Sequence, residues 1–226
     1  MEIKIKILYH VCAKNQWREI VTDQISKMHF SGLYDACEGI YCGISGRGAR
    51  DAETLIRASG KKFHILSVSP DDLSYERLTL LGGRPHVTGS DVLLYLHTKG
   101  VTRPDEPHCQ DWRRYMEFVL MRHWTKCVEK LGEYDVVGVN LSTKPALHFS
   151  GNFWWTRGDY YLRLPDTIGP RYHDTEMYLC SLPDVRAMQM DTSGNVNHYL
   201  QPYPLQMYCD RQPTMVLGGS STTILS

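Results

Sequence analysis

Neither charge is in surplus: Lys plus Arg and Asp plus Glu each number 25. A clustered basic stripe, the footprint of a nucleic-acid or anionic-membrane surface, is missing. No nucleic-acid partner is therefore expected. No apolar run approaches the ~20 residues of a transmembrane helix. The opening Met1-Glu2-Ile3-Lys4-Ile5-Lys6-Ile7 alternates charge and isoleucine. It reads as a strand and not as a secretion leader, and the expected location is the cytoplasm. The seven cysteines (Cys12, Cys37, Cys42, Cys109, Cys127, Cys180 and Cys209) contain no Cys-x-x-Cys pair. Scattered and odd in number, they exclude a disulfide framework or a zinc site and read as small buried residues. A P-loop, His-x-His, His-Glu-x-x-His and Asp-x-Asp are all missing. Gly43-Ile44-Ser45-Gly46-Arg47-Gly48 lacks the full dinucleotide spacing and follows the second strand, not the first.

Phenylalanine is scarce, with 5 residues against 14 tyrosines and 5 tryptophans. Such rings combine an apolar face with a polar handle, as sugar and nucleotide pockets require. Strand and helix patterns alternate from the start. Strands are expected over 3–11, 39–44, 62–68, 92–96 and 134–139, and helices over 15–29, 49–58, 70–81 and 110–131. This succession predicts an α/β fold: a single domain with a mostly parallel central sheet flanked by helices. Residues 1–200 would form the domain. Residues 201–226 read as a C-terminal extension or linker with a polar, mobile tail, after which further domains could follow in a longer chain.

Four segments carry candidate chemistry. Leu93-Leu94-Tyr95-Leu96 is an apolar run that stops at His97-Thr98-Lys99-Gly100. In open α/β sheets, ligands bind at the carboxyl ends of strands. Lys99 offers a point charge for phosphate and His97 an imidazole. His148-Phe149-Ser150-Gly151-Asn152-Phe153-Trp154-Trp155 sets aromatics around a Gly-Asn turn. Adjacent residues of an extended chain face opposite ways, so one of Trp154 and Trp155 is expected in the core and the other in a cleft. Asp174 and Glu176 open a short helix, where they could cap it or reach into a cleft. His198 follows a short late strand and is a candidate metal or diphosphate ligand. For each segment the plain alternative is a strand end, core packing or a helix cap.

Leu94-Tyr95-Leu96-His97-Thr98-Lys99-Gly100-Val101 resembles the corresponding stretch of GT-A-fold glycosyltransferases. So do Tyr75-Glu76, Trp112-Arg113, Tyr134-Asp135-Val136-Val137-Gly138-Val139-Asn140 and His148–Trp155. The similar proteins occur in bacterial polysaccharide clusters and in chlorella viruses, where they glycosylate the major capsid protein. The likeness spans roughly Ile3 to Tyr199. It implies a GT-A-like fold and transfer of a sugar from a UDP-linked donor to a glycan hydroxyl, with retaining chemistry favoured and a host-cytoplasm location if viral.

Under the resemblance, Lys99, Asp174 and Glu176 would be catalytic. Tyr9, His10, Asp71, Asp72, His97, Lys99 and His198 would hold the nucleotide, with Arg47 a further cation for the diphosphate. Ser150, Gly151, Asn152, Trp154 and Trp155 would bind sugar and acceptor. His97 occupies the place where the family carries Asp-x-Asp. Either Lys99 replaces part of the metal's charge there, or His97 ligates Mn2+ or Mg2+ with His198, manganese being preferred because it tolerates imidazole better. Two other classes compete: a sugar-nucleotide pyrophosphorylase or hydrolase on a similar sheet, and a non-catalytic carbohydrate-binding protein.

Overall fold

β1 (Lys4–Cys12) is buried on both faces from Ile5 to Val11. Only a strand inside a sheet covered on both sides reads this way. The computed structural model describes residues 3–71 and 73–210. After β1 come α1 (Trp17–Phe30), α2 (Leu33–Ala36), β2 (Cys37–Ser45), α3 (Ala49–Ala58), β3 (Phe63–Ser69), α4 (Arg77–Gly82) and β4 (Asp91–His97). Then follow α5 (Pro107–Glu117), α6 (Trp124–Lys130), β5 (Val136–Val139), β6 (Leu141–Ser142), β7 (His148–Phe149) and β8 (Trp154–Arg157). The last elements considered are α7 (Gly158–Arg163), α8 (Asp174–Tyr178) and β9 (Ala187–Asp191).

Seven strands form one sheet in the order β3-β2-β1-β4-β8-β5-β9. β8 runs antiparallel to β4 and β5, and the other pairings are parallel. The chain is thus a single α/β domain with a mostly parallel sheet and helices on both faces, as the sequence pattern predicts. Alternate residues of each strand sort into two cores. Tyr9, Val11, Leu94, Leu96, Val137 and Trp155 belong to one, with the apolar faces of α1, α3 and α5. Leu8, Leu93, Tyr95, Val136 and Trp154 belong to the other, with Tyr160, Tyr161 and Tyr178.

Two expected helices differ. Over 70–81, only Arg77–Gly82 is helical. The preceding residues form a turn in which the Leu73 amide donates to Asp71 Oδ1 (2.9 Å) and Tyr75 adopts φ 47°. The expected helix over 110–131 is two helices joined by a π turn over Phe118–Arg122. There the Trp155 indole N–H donates to the Leu120 carbonyl at 2.9 Å, and a side chain entering the ladder is a recognised cause of such a break. Within the expected C-terminal extension, Tyr203 and Tyr208 are buried and pack edge-on against Tyr115. The expected mobile tail lies mostly outside the described residues. No described helix is long and apolar enough to cross a membrane.

Candidate active site at the carboxyl edge of the sheet

Parallel pairing sets His10 of β1 opposite both Gly43 of β2 and His97 of β4. Three strand ends therefore open at one edge, where ligands of open α/β sheets bind. The turn after β4 is pinned to β1. Thr98 N donates to the His10 carbonyl (3.1 Å), and Thr98 Oγ1 accepts from Cys12 N (2.9 Å). Lys99 follows at once and points into two adjoining clefts of about 270 and 140 Å3. Glu76, His97, Lys99, Tyr172 and Tyr199 line both.

The larger cleft has His10 in its wall, with Arg103 and Tyr75. His10 is 2% exposed; its Nδ1 lies 3.0 Å from Thr79 Oγ1 and its Nε2 3.3 Å from Ser45 Oγ. Thr79 reaches it because Gly43 carries no Cβ, which would collide with the threonine. Burial pushes the His10 imidazole down to about 4. The His97 imidazole is pushed down to about 3, first by burial and then by the Lys99 charge. Both are neutral near pH 7, so His97 supplies a hydrogen-bonding ring and not a fixed cation. Positive charge in the larger cleft comes from Lys99, Arg103 and Lys14.

The smaller cleft is organised by the Ser150-Gly151-Asn152 turn. Gly151 has φ 94° and Asn152 φ 57°, a left-handed pair suited to these two residues. The Gly151 carbonyl meets His97 Nε2 at 3.1 Å, and its amide donates to Glu176 Oε1 at 2.8 Å. Asn152 Nδ2 donates to Glu76 Oε2 at 2.9 Å. Glu76 Oε1 lies 3.6 Å from His97 Nδ1, and Glu176 Oε2 lies 3.6 Å from His173 Nδ1. Two partly exposed carboxylates thus share one cleft with the Lys99 ammonium.

The structure gathers His10, His97, Lys99, Ser150, Gly151, Asn152 and Glu176, as the sequence reading proposed. Several other candidates go elsewhere. Tyr9 is buried on the α1 face, its hydroxyl donating to Gln24 Oε1 (2.7 Å), because successive strand residues alternate faces. Asp71 spends its carboxylate on the Leu73 amide, and Asp72 lies outside the described residues. Asp174 accepts from the Arg171 amide at 2.7 Å, a loop-closing role away from both clefts. Trp154 and Trp155 do take opposite faces, but both are core, at 1% and 0% exposure. Neither lines a cleft, because helices cover both sides of β8. Arg47 lines a separate cavity.

The paired-histidine metal site is not formed. His198 is buried, its Nε2 committed to Ser193 Oγ (2.9 Å) and Asn140 Nδ2 (3.1 Å), its ring stacked on Trp112 at 4.6 Å. His97 Nε2 is committed to Gly151. Among the described residues no group of three or more His, Cys, Asp or Glu could hold a metal ion. With a lysine ammonium in the same cleft, this donor set does not fit a resident divalent cation. The sequence reading also missed contributors. Tyr172, Tyr199 and Arg103 sit on loops far apart in sequence, and Glu76 was noticed only as part of a resemblance.

No curated protein sequence matches the chain. Among solved structures, 4-diphosphocytidyl-2C-methyl-D-erythritol synthase from Anaerococcus prevotii aligns with 91% of this chain and 94% of its own, at 8% identity and TM-score 0.48. Another 4-diphosphocytidyl-2C-methyl-D-erythritol synthase aligns with 91% of this chain and 95% of its own, at 13% identity and TM-score 0.45. Rv0371C from Mycobacterium tuberculosis, in complex with manganese, covers 71% of this chain and 76% of its own, at 10% identity and TM-score 0.39. These likenesses concern the fold. The expectation of glycosyl transfer is not supported by them: two of these three structures are named as 4-diphosphocytidyl-2C-methyl-D-erythritol synthases and none as a glycosyltransferase. A family profile described as Domain of unknown function (DUF8361) matches residues 9–196, and the chain belongs to that family.

Proposed function

We propose that the chain is a nucleotide-binding enzyme acting on a phosphoanhydride bond, in the class of sugar-nucleotide pyrophosphorylases and hydrolases. The observation that carries this reading is the setting of Lys99. Its ammonium stands at the carboxyl end of β4, 3.8 Å from the centroid of the Trp112 ring, with no carboxylate in ion-pair distance among the described residues. A buried-edge cation held by an aromatic face and left without an acidic partner suits an anionic ligand. Arg103 adds a second cation, 4.4 Å from the Tyr199 ring. Tyr75, Tyr172 and Tyr199 supply faces for a planar base or an apolar ring face. On the far wall, Glu76 and Glu176 can accept hydrogen bonds from the hydroxyls of a polyol.

In such a reaction a phosphate oxygen or water attacks the phosphorus nearest the sugar or nucleoside. The bond to the bridging oxygen breaks, and the departing phosphate keeps the electron pair. Lys99 and Arg103 are placed to meet that developing charge, the largest single contribution in many such sites. Neutral His97 and His10 donate or accept hydrogen bonds without repelling the cations. The test is a panel of UDP, CDP, GDP and ADP and their sugar-linked forms. Binding is read by protection from thermal unfolding, and turnover by release of phosphate, pyrophosphate or sugar phosphate. Protection by nucleotides with phosphoanhydride turnover supports the reading. Protection by free sugars alone would replace it with a carbohydrate-binding protein.

A further inference from the structure

At the junction of the two clefts, two hydrogen-bond acceptors face each other with no donor between them. The Gly151 carbonyl lies 3.1 Å from His97 Nε2 and can only accept, so the proton of the neutral ring sits on Nε2. His97 Nδ1 is then a bare acceptor. It lies 3.6 Å from Glu76 Oε1, beyond a direct hydrogen bond. We infer that His97 Nδ1 and Glu76 Oε1 together receive two neighbouring hydroxyls of the substrate, a vicinal diol next to its phosphate. This rests on the proposed function for the phosphate and adds the group beside it.

Both acceptors are held in place. The His97 ring stands edge-on to Phe153, with centroids 5.0 Å apart, and lies 6.1 Å from the Tyr95 ring. Burial first, and then the Lys99 charge, keep it neutral near pH 7. Glu76 is oriented by a chain of bonds that can run in one direction only. The Trp154 indole N–H, which can only donate, gives to Asn152 Oδ1 at 2.8 Å. Asn152 must therefore present Nδ2 to Glu76, and it donates to Oε2 at 2.9 Å. Oε1 is left beside Nδ1, and among the described residues neither atom receives a hydrogen bond.

Position selects the ligand. Glu76 and His97 line both clefts together with Lys99. Their side chains are 17% and 14% exposed, within reach of a ligand. A divalent cation would suit a carboxylate and an imidazole, but the neighbouring ammonium repels it. Hydroxyls donate to both acceptors and leave Lys99 to the phosphate. A lone hydroxyl has one proton and would satisfy one acceptor. Hydroxyls on adjacent carbons match a pair of acceptors 3.6 Å apart and satisfy both. The diol can belong to the ribose of a nucleotide or to a sugar joined to the phosphate.

The test is titration of the 15N-labelled full chain at pH 7, following the histidine ring nitrogens, with calorimetry for affinity. The probes are UDP and CDP with their 2′-deoxy and 3′-deoxy forms, glucose 1-phosphate with its 2-deoxy form, and free glucose. His97→Gln assigns the resonance. Before any ligand is added, His97 should show a protonated Nε2 and a bare Nδ1. The Nδ1 signal should then move saturably with a diol-bearing phosphate. The matching deoxy form should bind about 10- to 100-fold more weakly, the range for a hydrogen bond to a charged group. Glu76→Gln should remove most of that gap. A gap for the nucleotides assigns the ribose, and a gap for glucose 1-phosphate assigns a sugar. A proton on Nδ1 in the free protein overturns the inference. So does equal affinity for diol and deoxy forms, which leaves the proposed function standing if Lys99→Ala weakens the binding. A shift with free glucose and with no phosphate ligand keeps the diol site and overturns the proposed function. No shift with any probe overturns both.

Discussion

Lys99 and Trp112 form a cation–aromatic pair, with the ammonium 3.8 Å from the ring centroid. The ring fixes the lysine at the junction of the two clefts without neutralising it. Such a pair contributes only about 0.5–2 kcal/mol to stability. Lys99→Ala should therefore melt within a few degrees of the parent. It should bind nucleoside diphosphates about 10- to 100-fold more weakly, the range for losing a hydrogen bond to a charged group. Calorimetry on both proteins measures the difference, and a variant that binds as tightly as the parent contradicts the role given to Lys99.

Trp154 and Trp155 fill opposite cores of the same strand. Each indole N–H has a partner, Asn152 Oδ1 at 2.8 Å and the Leu120 carbonyl at 2.9 Å. Each substitution to alanine should cost about 3–5 kcal/mol in urea unfolding. A variant that keeps parental stability would return its tryptophan to the cleft.

The succession of strands and helices was legible from its alternating patterns, and the site edge from an apolar run that stops at His97-Thr98-Lys99-Gly100; the order that sets β8 antiparallel between β4 and β5 was not. The Gly151-Asn152 turn was legible from its residue types. The cover over both faces of β8 was not, since it comes from α5, the π turn, α7 and α8, which no local pattern ties to Trp154 and Trp155. Glu176 and Asp174 lie two residues apart on a short helix. Only the fold decides that the first meets Gly151 and the second closes its own loop.

Beneath the site, the fully buried Glu117 carboxylate accepts from Gln24 Nε2 (2.8 Å) and Lys27 Nζ (2.5 Å). Arg113, 3% exposed, lies 3.4 Å away. Gln24 Nε2 also donates to the His97 carbonyl at 3.1 Å, so this network holds the end of β4. Removing the carboxylate leaves a buried guanidinium with less compensation. Glu117→Ala should lose about 3–5 kcal/mol, read from the urea midpoint. A loss below about 1 kcal/mol, the scale of a surface pair, would contradict the account.

His10, His97 and His198 have imidazoles pushed down to about 4, 3 and 4 respectively, by burial first. Below the ordinary value of 6.5 the unfolded chain takes up protons that the folded chain refuses. Stability from these groups is complete above that value and falls as pH drops toward 4. Each contributes a slope of up to about 1.4 kcal/mol per pH unit in that window. Urea midpoints measured from pH 7 to pH 4.5 should fall steadily, and His198→Gln should reduce the slope. A slope identical in parent and variant would contradict the burial of a neutral His198.

The most direct test of the central claim is calorimetric titration of the full chain with UDP, CDP, GDP and ADP, and with free monosaccharides, in parallel for the parent and Lys99→Ala. The account predicts saturable binding of at least one nucleoside diphosphate, weakened in the variant, and weaker or no binding of sugars lacking phosphate. Binding of free sugars with equal affinity in both proteins, and of no nucleotide, would contradict it.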